Sequence, residues 1–148
     1  MTHIRPMNES DVAQVHAMVC ALAAHHGDTA TLSPADLARD ALGRDPWLSL
    51  LVAEDARGLS GYAALFPLAQ LQFGVRGMDL HHLFVREERR GQGVAKALVA
   101  GAITLSRARG CRFLAVGTDP DNIPAQQTYG ALGFDRAPQA GPRFRIKW

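Results

Sequence analysis

The stretch from Met78 to Arg109 constrains this chain more than any other. Met78–Val85 reads as a β-strand and Arg86–Gly91 as a polar, basic connection. From Gln92 to Arg109, residues Val94, Ala95, Leu98, Val99, Ala102 and Ile103 form one broad apolar stripe at helical spacing. The junction between strand and helix is Arg90-Gly91-Gln92-Gly93-Val94-Ala95. Glycine reaches backbone conformations closed to other residues and lets a ligand approach the chain itself. The first N–H groups of a helix have no intrahelical acceptor, so such a junction suits a pyrophosphate. A dinucleotide fingerprint would need glycine at 96, where Lys96 stands, and the spacing of a Walker loop is absent. On the glycines alone, a turn that binds nothing stays as open as a phosphate cradle.

The rest of the chain builds a domain around that unit. His3–Pro6 opens as a short strand. Asn8–Asp11 offers caps for a helix through Val12, Val15, Met18, Val19 and Leu22, ending near Gly27. Ser33-Pro34 starts a second helix that runs to about Leu42. Leu48–Glu54 and Leu59–Leu68 pair as a hairpin around Asp55–Gly58, and Gln70–Gly77 is loop. Arg112–Gly117 is a buried strand, Asn122–Ala131 a short helix capped by Asn122, and Gly133 its C′ residue. From Phe134 onward one or two more strands are expected, including Phe144–Trp148. The fold class is α/β, a mixed and mostly antiparallel central sheet with flanking helices, in a single domain over 1–148.

Composition narrows the classes. At 148 residues one domain buries about 70% of the unfolded surface. The net charge is +2, and Arg86, Arg89 and Arg90 are the one local basic cluster, so no nucleic-acid partner is expected. The first residues lack an apolar leader and the least charged stretch, 62–75, is too short for a bilayer, so no membrane partner is expected. Cys20 and Cys111 read as reduced core thiols of a cytoplasmic protein. Paired histidines at 25–26 and 81–82 lack ligand spacing, and no metal is expected.

Arg90-x-x-Gly93-x-Ala95, directly after Leu83-Phe84-Val85, resembles the coenzyme A motif of the GNAT N-acetyltransferases. Asn122-x-x-Ala125-x-x-x-Tyr129-x-x-x-Gly133-Phe134 resembles the distal helix signature of the same superfamily. The likeness covers nearly the whole chain in order and is nearest to the diamine and thialysine acetyltransferases. It implies the acyl-CoA N-acyltransferase fold, acetyl-CoA as cosubstrate, a small primary amine as acceptor, and a homodimer. It implies that the backbone of Leu83, Phe84 and Val85 pairs with the pantetheine arm. By the same resemblance Arg90, Gly91, Gln92, Gly93, Val94, Ala95 and Lys96 hold the pyrophosphate, Asn122 bonds the cofactor arm, and Tyr129 is the general acid.

The departure from the resembled group is at 81 and 82. Diamine acetyltransferases carry Glu-Asp there, and this chain has His81-His82. An imidazole is a competent base near neutral pH, so His81 is the candidate for taking the amine proton, with His82 as its alternative. Strand alternation puts Asp79 beside His81 and His82 on the opposite face, unless a bulge breaks the pattern. The exchange also removes carboxylates that a polycation needs, which favours a monoamine or amino-acid-like acceptor near His25, His26 and Asp28. Two alternatives stay open: a non-catalytic acyl-CoA-binding module, and an acetyltransferase of peptide N-termini or lysines.

Overall fold

The computed structural model describes residues 1–138 and 141–148. Its backbone groups into two compact units, Met1–Gly117 and Thr118–Trp148. The first holds β1 (His3–Pro6), α1 (Val12–His25), α2 (Pro34–Leu42), β2 (Ser49–Asp55), β3 (Gly58–Gln70), β4 (Val75–Val85), α3 (Val94–Ala108) and β5 (Phe113–Val116). The second holds α4 (Ile123–Ala131).

Helix starts follow from local chemistry. The Ser33 hydroxyl accepts from the Asp36 N–H at 3.0 Å, and the Asp36 carboxylate accepts from the Ser33 N–H at 2.8 Å. With Pro34 in the first turn, this reciprocal cap fixes where α2 begins. Ahead of α1, the Asn8 and Asp11 side chains make the same exchange around one short helical turn. Asp11 also takes the Arg5 guanidinium at 2.7 and 2.9 Å, tying β1 to the start of α1.

The five strands form one sheet in the order β1-β2-β3-β4-β5. Neighbours are antiparallel as far as β4, and β4–β5 is parallel, with α3 as the crossover that a parallel pair requires. On one face Leu50, Val52, Tyr62, Ala64 and Phe84 pack with Val15 and Met18 of α1 and Leu37 of α2. Residues of the other parity, among them Leu51, Ala63, Leu65 and Leu80, are buried toward α3, whose Leu98, Val99 and Ala102 are buried in turn. That helix lies against all five strands.

Two register shifts interrupt the ladders. One falls between Ala53 and Glu54 of β2 opposite Ser60. In the other, Ala64 pairs with His82 and Leu65 with Leu80, which leaves His81 as an extra, unpaired residue in β4. The expected loop at 70–77 is half strand: β3 runs to Gln70 and β4 starts at Val75, around a helical turn at Leu71–Phe73. The antiparallel ladder continues there because Ala69–Arg76 and Gln70–Val75 still pair. The expected strand at Phe144–Trp148 is not found; among the described residues no ladder includes any residue after Val116. Alternating apolar and basic residues satisfy the local requirement for a strand, but a strand also needs a partner's free edge.

The packing under α3 is testable. Leu98 is 0% exposed, so Leu98→Ala is expected to cost about 2–5 kcal/mol in chemical denaturation with the m-value kept. Leu71→Ala, at the exposed hairpin tip, is expected to stay within about 0.5 kcal/mol of the parent.

Candidate functional site

The ladder between β4 and β5 spans Gly77↔Phe113 to Leu80↔Val116 and stops there, one residue before the bulge. Beyond it Leu83, Phe84 and Val85 pair with Ala63, Tyr62 and Gly61 of β3 on one side only. The Arg86 N–H donates to the Ser60 carbonyl of β3 at 2.8 Å. Successive N–H groups of an extended strand point to opposite edges, so those of Val85 and Leu83 point away from β3, to the open edge. The Val85 carbonyl accepts from Arg90 Nε at 3.1 Å.

That edge runs straight into the glycine loop. Gly91 and Gly93 have φ of 75° and 81°, left-handed conformations that other residues resist, and Gly93 is the N-cap of α3. Among the described residues no backbone carbonyl accepts from the N–H groups of residues 91 to 96; Ala97 is the first to donate, to Gly93. The junction thus presents a run of free N–H donors at a helix start, which is what an anionic group needs. Lys96 and the side chains of Arg90 and Gln92 are exposed around it.

Arg89, one residue before this loop, is buried at 4% exposure. Its guanidinium takes both carboxylate oxygens of Asp55 at the end of β2, the Nη2 contact at 2.7 Å. The arginine holds Asp55 well below the usual carboxylate range, with help from the Arg57 N–H. Arg86 Nε donates to the Leu59 carbonyl at 2.8 Å. The basic cluster therefore divides: Arg86 and Arg89 anchor the loop to the β2–β3 hairpin, while Arg90 stays at the surface.

The bulge reorganises the histidines. Opposite-face placement of His81 and His82 is corrected: their rings stack at 4.3 Å with 15° between planes, so both lie on the α1 side of β4. Pairing of Phe66 with Asp79 and of Ala64 with His82 puts Asp79 on that side as well. His81 is exposed and packs its ring 5.0 Å from Phe66. His82 is half-buried, and its Nδ1 lies 3.0 Å from the Tyr62 hydroxyl. Burial first, then the His81 and His26 charges, pushes His82 down to about 4. Burial pushes the Asp79 carboxyl up, against a smaller opposite pull from His81. Among the described residues no three His, Cys, Asp or Glu side chains gather as a metal site.

Nearby, Ala21, Ala24 and His25 of α1 face Phe84, Arg86, Glu87, Glu88 and Arg90 across a groove of about 550 Å³. His25 belongs to the expected acceptor wall; His26 and Asp28 are exposed but do not line this groove. In the second unit, the Asn122 side-chain oxygen caps α4 by accepting from the Ala125 N–H at 3.1 Å. Gly133 closes the other end: its N–H reaches the Gly130 carbonyl and that of Phe134 reaches Tyr129. The Tyr129 ring meets Phe134 edge-on at 5.9 Å, and burial pushes its phenol up.

Sequence reasoning missed Tyr62, Arg89 and Asp55 as site-forming residues. Tyr62 is a polar-tipped residue amid small and apolar neighbours, a signal that its hydroxyl needs a buried partner. No local pattern announces that Arg89, 34 residues from Asp55, is the arginine that turns inward.

The acetyltransferase (GNAT) family profile matches residues 16–134. The aminoglycoside N(6′)-acetyltransferase type 1 of Salmonella enteritidis is 30% identical over 139 residues, covering 89% of this chain and 90% of that protein. The L-methionine sulfoximine/L-methionine sulfone acetyltransferase of Pseudomonas paraeruginosa is 31% identical over 121 residues, covering 76% and 69%. Mammalian relatives are longer, and the chain spans less than half of their length. Among solved structures, AAC(6′)-Iy in complex with the bisubstrate analogue CoA-S-monomethyl-acetylneamine matches the fold with a TM-score of 0.80 at 24% identity, covering 99% of each chain. No helix among the described residues is long and apolar enough to cross a membrane. A profile match over that much of the sequence, with a curated relative aligned nearly end to end, shows that the chain belongs to the acetyltransferase (GNAT) family of N-acetyltransferases.

Proposed function

We propose that this chain transfers an acetyl group from acetyl-CoA to the primary amine of a small molecule, by direct attack and without an acyl-enzyme. The observation that carries the reading is the open edge of β4 at Leu83–Val85, leading directly into a loop with free N–H groups from 91 to 96. An extended pantetheine arm can add to that edge as a further strand, and a pyrophosphate fits the loop. One edge N–H, of Leu83 or Val85, is then a donor for the thioester oxygen as negative charge develops there. In the same reading both units work as one domain over 1–148, supported by a family match that crosses their boundary at 117–118. The proposed setting is the cytoplasm, from the two reduced cysteines, and a homodimer, from the resemblance.

Two proton transfers and one cofactor contact remain. The amine must arrive neutral, and His81, exposed on the bulge, is the proposed acceptor of its proton. Tyr129 is the proposed acid for the leaving thiolate, and a phenol pushed up by burial keeps its proton at neutral pH. Asn122 retains its amide N–H groups for the cofactor arm, since capping uses only its oxygen. The acceptor we propose is a monoamine or amino-acid-like amine. The relative that by its name acts on methionine sulfoximine and sulfone supports this, as does a histidine pair where a polycation would want carboxylates.

Release of free thiol from acetyl-CoA, followed across polyamines, aminoglycosides, amino acids and short peptides, tests the reading. We expect turnover with amino-acid-like or monoamine acceptors; spermidine leading in kcat/KM by about tenfold would overturn the acceptor class. Gly93→Val is expected to abolish acetyl-CoA binding by calorimetry, whereas Arg90→Ala weakens it only modestly. An added Cβ at 93 meets nothing within 4 Å, so the loss would come from the φ of 81° and from blocked ligand approach. Tyr129→Phe is expected to keep cofactor affinity and lower kcat by about 10²–10⁴-fold. Unchanged turnover with chemistry rate-limiting would leave Tyr129 as the aromatic partner of Phe134 alone.

A further inference from the structure

Resting on the acetyltransferase reading, we infer that Tyr62 holds His82 as the neutral tautomer protonated on Nε2, and that this N–H donates to an oxygen of the amine-bearing acceptor instead of removing its proton. Tyr62 is 0% exposed, and His82 Nδ1 at 3.0 Å is the one partner its hydroxyl has among the described residues. If Nδ1 carried the proton and donated it, the phenol's own hydrogen would be buried without an acceptor. Buried donors are rarely left in that state. With the phenol donating to the Nδ1 lone pair, both groups are satisfied, and the single proton of a neutral imidazole falls on Nε2. An imidazolium would put a proton on Nδ1 again and recreate the orphaned phenol. Burial beside His81 and His26 opposes that charge in the same direction.

Nε2 is also reachable. His82 is not an exposed residue, and no buried side-chain nitrogen or oxygen lacks a hydrogen-bond partner among the described residues. Nε2 has no such partner, so it must be open to solvent. Its direction is fixed from two sides, by the Tyr62 hydroxyl at Nδ1 and by the His81 ring stacked on its face. The other ionisable groups toward this side are Asp79 and His81 on β4, His26 after α1, and Cys20 near Tyr62. A fixed, neutral N–H attracts a hydroxyl, carbonyl or carboxylate oxygen and offers nothing to a second ammonium. His82 is thereby a specificity-determining residue for oxygen-bearing amines, Tyr62 is a positioning residue acting through it, and the proton-accepting role falls to His81.

Long-range ¹H–¹⁵N spectra of the full chain at pH 7 read the tautomer without any substrate. We expect a pyridine-type Nδ1 and a pyrrole-type Nε2 for His82, with the preference lost in Tyr62→Phe. A proton on Nδ1, or an imidazolium, overturns the assignment. The kinetic arm uses matched acceptors with and without the oxygen: leucine against 3-methylbutylamine, and 2-aminoethanol against ethylamine. His82→Phe is expected to raise KM for the oxygen-bearing member by about tenfold, narrowing the gap within each pair. His82→Gln, whose amide nitrogen sits where Nε2 was, should recover most of that loss. The acidic limb of kcat/KM should survive His82→Gln and disappear in His81→Gln. A limb abolished by His82→Gln, or a gap unchanged in His82→Phe, overturns the inference. A parent chain that acetylates none of the acceptors would refute the acetyltransferase reading instead, while the spectra still decide the tautomer.

Discussion

A sheet can offer a strand edge to a ligand only where that strand parts from its neighbour, and here the parting coincides with one extra residue. His81 has no partner on β3, and the β4–β5 ladder ends at Leu80, immediately before it. A bulge bends its strand and increases the local twist, which favours divergence of two strands that run parallel up to that point. The consequences meet in one place. Leu83 and Val85 keep free N–H groups, His81 and His82 come to the same side, and the end of β4 is aimed into the glycine loop. A regular β4 would have sent alternate histidines to opposite faces and let the ladder continue.

Charge pairing then fixes the loop that the strand feeds. Arg89 is buried against both oxygens of Asp55, and Arg86 bonds the Leu59 carbonyl, so residues 86–89 are held to the β2–β3 hairpin. With that segment held, the positive φ at Gly91 and Gly93 turns the chain into α3 with its first N–H groups free. A binding loop built from backbone donors needs such support, because the geometry of those donors has to be held by the surrounding structure. The neighbouring Arg5–Asp11 pair does the comparable task for the entry into α1.

The polar cluster on the other side of β4 shows how a core position becomes a functional one. Tyr62 sits in the apolar cluster with Met18, Val52 and Phe84, and its hydroxyl is the single polar atom it must satisfy there. His82 supplies the partner and is itself only half-buried, so an interaction that begins in the core ends at the surface. This is a hydrogen-bonded relay of orientation, from a fully packed ring to a group that solvent can reach. His81 is stacked on it and stays exposed.

How much of this was legible in the sequence depends on how far apart the interacting residues are. The helix at 94–108, the Ser33-Pro34 helix start, the Asn122 cap, Gly133 and the strand–glycine–helix junction were readable because each depends on neighbours within a turn or two. The family signature in 83–96 and 122–134 was readable for the same reason, being local chemistry at fixed spacing. The bulge stood only as an alternative, because it is a mismatch of register between β3 and β4, and register exists only once both strands are paired. Tyr62 and His82 are 20 residues apart, and Arg89 and Asp55 are 34 apart, so neither pair leaves a periodic trace. The β3–β4 hairpin is longer than the local pattern shows, and among the described residues the alternating segment 144–148 pairs with no strand, since alternation shows what a segment could bury but not which edge it meets. The sequence by itself determined the order of the elements from β1 to α4 and the glycine junction that starts α3. Tertiary structure alone decided which strand edge stays open, which arginine is buried and which way the histidines face, because those depend on contacts between distant residues that no local pattern encodes.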